Sequence, residues 1–317
     1  LVLNADYTPL SYYPLSLWPW QTAIKAVFLE RVDIVESYDR AVHSPSWTMQ
    51  IPSVIALRQF VKPSQFPAFT RFNVFLRDRF MGSRLGMLWA IANPLMMLGI
   101  YTFVFAFVFK SKLPGAETSL SYSMWLIAGF GPWLAMSEAI TSSASSIHGN
   151  AGLVKNMAFK TECLPLAAAM LGLVPLLVSI VFLTCLMILD GHAPSWHAVG
   201  VVPAIILLFA FTSALGLGLA ALVTFYRDIG VALPNFLMIL LFMTPILYPT
   251  ESTPAVLARM AEWNPFFIIA QWVREPLIYH RFPSVYGLVW VSFLTLFIGR
   301  FTLKGFRRVK GYMHSAI

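Results

Sequence analysis

The chain has 317 residues, of which 58% are hydrophobic and 11% charged, with a formal net charge of +8. Soluble domains carry roughly 25% charged residues, so a wholly soluble protein is excluded and most of the chain must meet lipid. The positive balance is read as Lys and Arg on the flanks of membrane helices rather than as a nucleic-acid surface, and two cysteines, Cys163 and Cys185, are too few and too far apart for a zinc site or a disulfide framework.

Residues 1–80 contain no long apolar run. LVLNADY reads as a strand ending in a turn. Residues 18–31 read as a helix, with Ala23, Ile24, Ala26, Val27 and Phe28 at helical spacing and Lys25, Glu30 and Arg31 facing out. VDIVESYD, from Val32, alternates as a strand does. Pro45, Pro52 and Pro63 punctuate the rest. The outcome is a small α/β head, too small to be robust alone. In FNVFLRDRF (72–80), Phe72, Phe75 and Leu76 share one side, with Arg71, Arg77, Asp78 and Arg79 nearby. It reads either as an amphipathic helix lying in the membrane interface or as a plain linker helix.

The stretch LGMLWAIANPLMMLGIYTFVFAFVF, residues 85–109, carries no charge. At about 1.5 Å per residue, a helix of this length crosses a hydrocarbon core of about 30 Å, and in lipid a helix satisfies its own backbone. No signal-peptide pattern precedes it, so this segment is expected to direct insertion. Further spans are expected at 122–147, 164–189, 199–225, 229–248 and 284–303. Residues 254–279 are semi-apolar but interrupted by Pro254, Pro265 and Pro276, and read as re-entrant or interfacial helices. The expected fold is therefore an all-α polytopic membrane protein of about six transmembrane helices plus a re-entrant segment, preceded by the small α/β head.

Charge near the span ends sets the expected orientation. Arg77, Arg79, Arg84, Lys155, Lys160, Arg227, Lys304, Arg307, Arg308 and Lys310 fall on one side. Lys110, Lys112, Arg259, Arg274 and Arg281 fall on the other, over longer loops. The first side is expected to be cytoplasmic, with both termini inside. Glu138 lies within the second span, where an acid is costly and a functional candidate by default. Ser142, Ser143, Ser145 and Ser146 continue that helix with small polar residues that suit close helix packing as well as a wet channel.

Four stretches, in one order, resemble a known family. GSRLGMLWAIANPLMMLGIYTFVF (82–105), NAGLVKNMAFKTECLPLAAAM (150–170), FYRDIGVALPNFLMILLFMTPILYP (225–249) and WNPFFIIAQWVREPL (263–277) are similar to segments of ABC-2 type polysaccharide exporter permeases of the O-antigen and teichoic-acid group. The resemblance implies a permease domain over 81–317 in the bacterial inner membrane, a homodimer, a lipid-linked glycan substrate, contact with membrane lipids, and a separate cytoplasmic ATPase subunit. This sequence has no G-x-x-x-x-G-K-[ST] loop, so ATP and Mg are expected on that partner, with no cofactor on this chain and no enzyme activity of its own. The family's coupling loop maps to residues 150–160, with Asn150 at its start, Leu153 and Phe159 as apolar anchors and Lys155 and Lys160 as polar contacts. Lys160 stands where the family usually has proline. Arg227 and Asp228 either contact the ATPase or lipid head groups, or pair locally to fix a turn. Sugar faces stack on aromatic rings, so Trp89, Tyr101, Phe103, Phe107, Trp133 and Trp263 are pathway candidates together with Glu138, against the plainer reading of aromatics as packing or belt residues.

NADYTPLSYYPLSLWPWQTAIKAVFLERVDIVESYDRAVHSPS, continuing to FTRFNVFLRDRF, resembles the N-terminal region of bacterial HNH endonucleases, over residues 1–80. In that family a Cys-x-x-Cys and a His/Asn/His metal site follow. Here the chain reads MGSRLGMLWA, and His43 stands alone in the head. No catalytic residue, no metal site and no nuclease activity are expected. Lys25, Arg31, Arg40 and Arg58 are read as a solvated surface, with nucleic acid not expected as a partner. The permease pattern of Arg-Asp, a spacer and Arg-Tyr-x-Gly-Ser is contracted here to Arg77-Asp78-Arg79-Phe80-Met81-Gly82-Ser83, which reads as a fusion with its crossover near 77–81. Two rival readings follow: a membrane-anchored, nucleic-acid-binding nuclease remnant, and an ABC-2 permease for a small lipid or drug.

Overall fold

The computed structural model describes residues 1–7, 20–44, 47–60, 88–108, 119–151, 154, 161–191, 195–250 and 253–316. The chain divides into two units, Leu1–Val74 and Phe75–Ile317. The expected interface helix at 72–80 and the crossover near 77–81 lie outside the described residues.

In the first unit, among the described residues, β1 (Val2–Leu3), β2 (Val32–Ser44) and β3 (Trp47–Leu57) form a three-stranded sheet of order β1-β3-β2, accompanied by α1 (Trp20–Phe28). β1 runs parallel to β3, and β2 pairs with β3 antiparallel. The core is small: Val2, Ala23, Ala26, Val32 and Ile55. β3 departs from the expectation, in which Pro52 punctuates this stretch. Pro52 sits opposite Ser37 between two register shifts. An irregular ladder tolerates a residue without an N–H.

The second unit is helical. α2 (Leu88–Thr102) continues as a π-helical turn, Phe103–Val108, and α3 runs Ser119–Gly149. α4 (Cys163–Ala169) leads through a 3-10 turn into α5 (Leu173–Leu189). α6 (Val201–Phe225), α7 (Arg227–Met243), α8 (Ala255–Trp263), α9 (Pro265–Ile278) and α10 (Val285–Ala316) complete it. Among the described residues, four segments are long and apolar enough to span a bilayer: Leu88–Phe105, Cys163–Leu189, Trp196–Phe225 and Val285–Met313. α3 is longer than any of these segments, but its serines and Glu138 lower its hydropathy. It is the hub of the unit, and its buried residues Tyr122, Phe130, Trp133, Met136 and Ile140 are prominent in the core.

The expected span at 229–248 ends early. α7 stops at Met243, and Thr244 takes an extended conformation. Thr244 precedes Pro245, and the proline ring disfavours a helical residue before it. The turn that follows is buried, with Ile246 and Leu247 fully enclosed, so its carbonyls need donors. Tyr122 Oη donates to Leu247 O at 2.7 Å, and Arg274 Nη2 donates to Ile246 O at 2.9 Å. The expected re-entrant stretch is two helices, α8 and α9, broken at Asn264. That residue caps α9 by accepting from the Phe266 N–H at 3.0 Å, with Pro265 at the first helical position.

Small residues set the closest helix contacts. Ser143, fully buried on α3, donates to Pro165 O at 2.8 Å. A Cβ on Gly216 of α6 would overlap the Ser143 side chain. Ser146 is buried as well, whereas Ser145 is exposed, so this serine run serves packing on one face and a polar surface on the other.

Candidate functional site

Two candidate pathway residues share a cleft. Trp89 and Glu138 line a cavity of about 320 Å³ together with Asn93, Met97, Leu134 and Val174. α2 supplies Trp89 and Asn93, one turn apart and on one face. α3 supplies Leu134 and Glu138, again one turn apart. The α4–α5 elbow closes the third side with Leu171 and Pro175. Glu138 accepts from Ser142 Oγ at 2.6 Å. The arrangement offers one large aromatic face, a carboxylate and an amide, the set that can stack on a sugar ring and accept from its hydroxyls.

The other expected pathway residues sit elsewhere. Tyr101 packs on Phe130 with ring centroids 4.3 Å apart. Trp133 is 3% exposed and packs on Phe266, with centroids 5.5 Å apart. Trp263 is exposed at the end of α8, in edge contact with Trp290, which donates to the Trp263 carbonyl at 3.1 Å. Phe103 is exposed. The Phe107 side chain lies outside the described residues.

Sequence reasoning missed Arg274, treating it as one charge on a loop side. It is 1% exposed. Its Nε donates to Trp125 O at 3.2 Å and its Nη2 to Ile246 O, its Nη1 lies 3.5 Å from Gln271 Oε1, and the guanidinium stacks 3.8 Å above the Trp125 ring. A Cβ on Gly129 would collide with the guanidinium, so only glycine admits this approach. Arg274 thus bonds three elements: α9, the start of α3 and the turn after α7. The signal was available, since helical spacing puts Arg274 on the same face as Phe267, Ala270 and Leu277.

At the opposite end of α3 the charges gather. Ile147, Val154, Leu164, Leu217, Ala220, Phe306 and Met313 form a separate apolar cluster, so the ends of α3, α6 and α10 lie with the start of α4. Asn150 Nδ2 donates to Ser146 O at 2.7 Å. Glu162, which precedes α4, meets Arg307 Nε at 3.6 Å and Lys310 Nζ at 3.5 Å. Burial alone pushes its carboxyl up, but its own backbone N–H and the two cations outweigh this and hold it below the ordinary range. Arg227 and Asp228 are exposed at the start of α7, with Asp228 in the first turn, where the helix dipole favours an acid. Among the described residues neither forms an ion pair. Leu153, Lys155, Phe159 and Lys160 lie outside the described residues.

Residues 70–278 match the family model of the ABC-2 type transporter. The chain belongs to this family. Residues 1–65 match a second model, described as the HNH endonuclease-associated, N-terminal domain. The chain is 27% identical over 216 residues to an O-antigen export system permease protein of Myxococcus xanthus, covering 68% of this chain and 81% of that relative. A Klebsiella pneumoniae O-antigen export system permease protein is 29% identical over 194 residues, covering 61% of this chain and 73% of the relative. The polysialic acid transport protein of Escherichia coli is 26% identical over 231 residues, covering 71% and 87%. An ABC-2 chain with these apolar helices is a multi-pass membrane protein.

Proposed function

We propose that this chain is the transmembrane permease subunit of an ATP-driven exporter that carries polysaccharide or lipid-linked glycan across the bacterial inner membrane. The observation that carries the reading is similarity over 68% and 71% of the chain to permeases named for O-antigen export and polysialic acid transport. ATP hydrolysis belongs to a separate cytoplasmic subunit, since this sequence has no phosphate-binding loop. Two copies of the chain enclose the path. The termini are cytoplasmic, supported by the excess of Lys and Arg at the end of α3, the start of α7 and the end of α10. Residues 81–317 form the permease and residues 1–80 a nuclease-like head that export does not use. The ATPase docks at residues 150–160 and near Arg227 and Asp228, and the glycan passes the cleft of Trp89 and Glu138.

The test is surface-glycan display in a cell lacking its own permease, supplied with this chain and its ATPase. Display is expected, and deleting residues up to Thr70 is expected to leave it intact. A chain that reaches the membrane yet displays no glycan overturns the exporter reading. A deletion that abolishes display overturns the passenger role of the head.

A further inference from the structure

The C-terminal helix is longer than a membrane requires. α10 spans 32 residues, or about 48 Å at 1.5 Å per residue, against a hydrocarbon core of about 30 Å. The surplus begins near Lys304, and it is not a solvated tail. Phe306 and Met313, two turns apart, are each 1% exposed and pack with Ile147, Val154 and Leu164. The neighbouring face carries Arg307 and Lys310, both on the Glu162 carboxylate. The last helix therefore grips both the entry to the loop between α3 and α4, at Ile147 and Val154, and its exit, at Glu162 and Leu164.

We infer that Glu162 is a positioning residue: through Arg307 and Lys310 it ties the exit of this loop to the last membrane helix. The inference rests on the exporter reading, in which the ATPase pushes on that loop. A loop held only by its own chain would pass the stroke to α3 and α4. The ion pairs and the apolar cluster carry it also to α10, which packs along α6, where a Cβ on Gly218 would meet Thr302. The charges suit such a strut. The carboxylate is largely shielded, with 16% of its side chain exposed, while Arg307 and Lys310 reach it from the helix surface with 67% and 34% exposed, so the carboxylate, not either cation, is the member that is costly to leave unpaired.

The test uses the whole chain together with its ATPase in membranes, reading glycan export and ATP hydrolysis per amount of assembled complex. Glu162→Gln is expected to keep assembly and basal ATP hydrolysis while export falls about tenfold, a coupling loss within the usual range. Arg307→Gln combined with Lys310→Gln, two changes on a helix surface, is expected to do the same and covers the case in which Glu162→Gln fails to assemble. Full inversion, Glu162→Lys with Arg307→Glu and Lys310→Glu, is expected to restore export. Wild-type export in the Arg307/Lys310 double variant overturns the inference. So does loss of export and hydrolysis in equal proportion, without rescue by inversion. Absence of export by the wild-type chain overturns instead the exporter reading beneath it.

Discussion

At the scale of single residues, Arg274 costs most to enclose and has most to hold. Its guanidinium has no carboxylate within ion-pair distance among the described residues. Two backbone carbonyls, a glutamine and the Trp125 ring take that place. Arg274→Ala is expected to leave the buried Ile246 carbonyl without this donor and to cost about 1–3 kcal/mol, read as a lower melting temperature of the detergent-purified chain. Arg274→Lys is expected to recover part of that, since a point-like ammonium cannot reach both carbonyls and also stack. Gly129→Ala is expected to destabilise as well, because a methyl there occupies the guanidinium's space. Its partner test is Gly299→Ala, where a Cβ meets only ordinary contact with Ala214 and the melting temperature is expected to stay put. For Glu138 and Trp89, Glu138→Gln and Trp89→Ala are expected to reduce glycan display at unchanged protein level, whereas Tyr101→Phe, half-buried against Phe130, is expected to leave it alone.

At the scale of elements, the pair α8–α9 shows how a proline-broken segment is held. Asn264 has two tasks: its Oδ1 caps α9, and its Nδ2 donates to Thr244 Oγ1 at 2.9 Å. Both helix breaks, at Thr244 and at Asn264, are thus tied to each other. Asn264→Ala is expected to cost about 1 kcal/mol for the lost cap, measured by thermal unfolding, and Asn264→Asp is expected to cost less because the carboxylate still caps. The interruption at Asn264 was legible from its Asn-Pro step, whereas the break at Thr244 was not expected, although the Thr244-Pro245 step disfavours a helix there for the same local steric reason. That α9 would be the better buried of the two was not legible. Its Phe267, Ile269 and Val273 are buried, and the helix packs against α3 and α6; packing of this kind is a property of partners far away in sequence. The same holds for β3, whose tolerance of Pro52 depends on an irregular register with β2.

At the scale of the whole molecule, the end that gathers α3, α4, α6 and α10 is held partly by charge, so acid should loosen it. The Glu162 carboxyl is held below its ordinary value of 4.5. Its stabilising share is therefore fully present above that value and is lost as pH falls through the depressed one. Melting temperature is expected to drop more steeply below pH about 4.5 in the wild-type chain than in Glu162→Gln, and equal slopes would remove the ion pairs from the account. Composition and apolar run length by themselves determined that this is a membrane protein with a small α/β head. Short-range chemistry explains why: in lipid each long apolar run must bond its own backbone. The motif order determined the family. Only the tertiary structure decided that Trp89 and Glu138 share one cleft while Trp133 is core, that α3 is the hub despite its serines, and that Arg274 and Glu162 tie elements together. Those roles depend on which faces of distant helices meet, and a charge in a sequence does not reveal whether carbonyls, a ring or an opposing charge will be waiting for it.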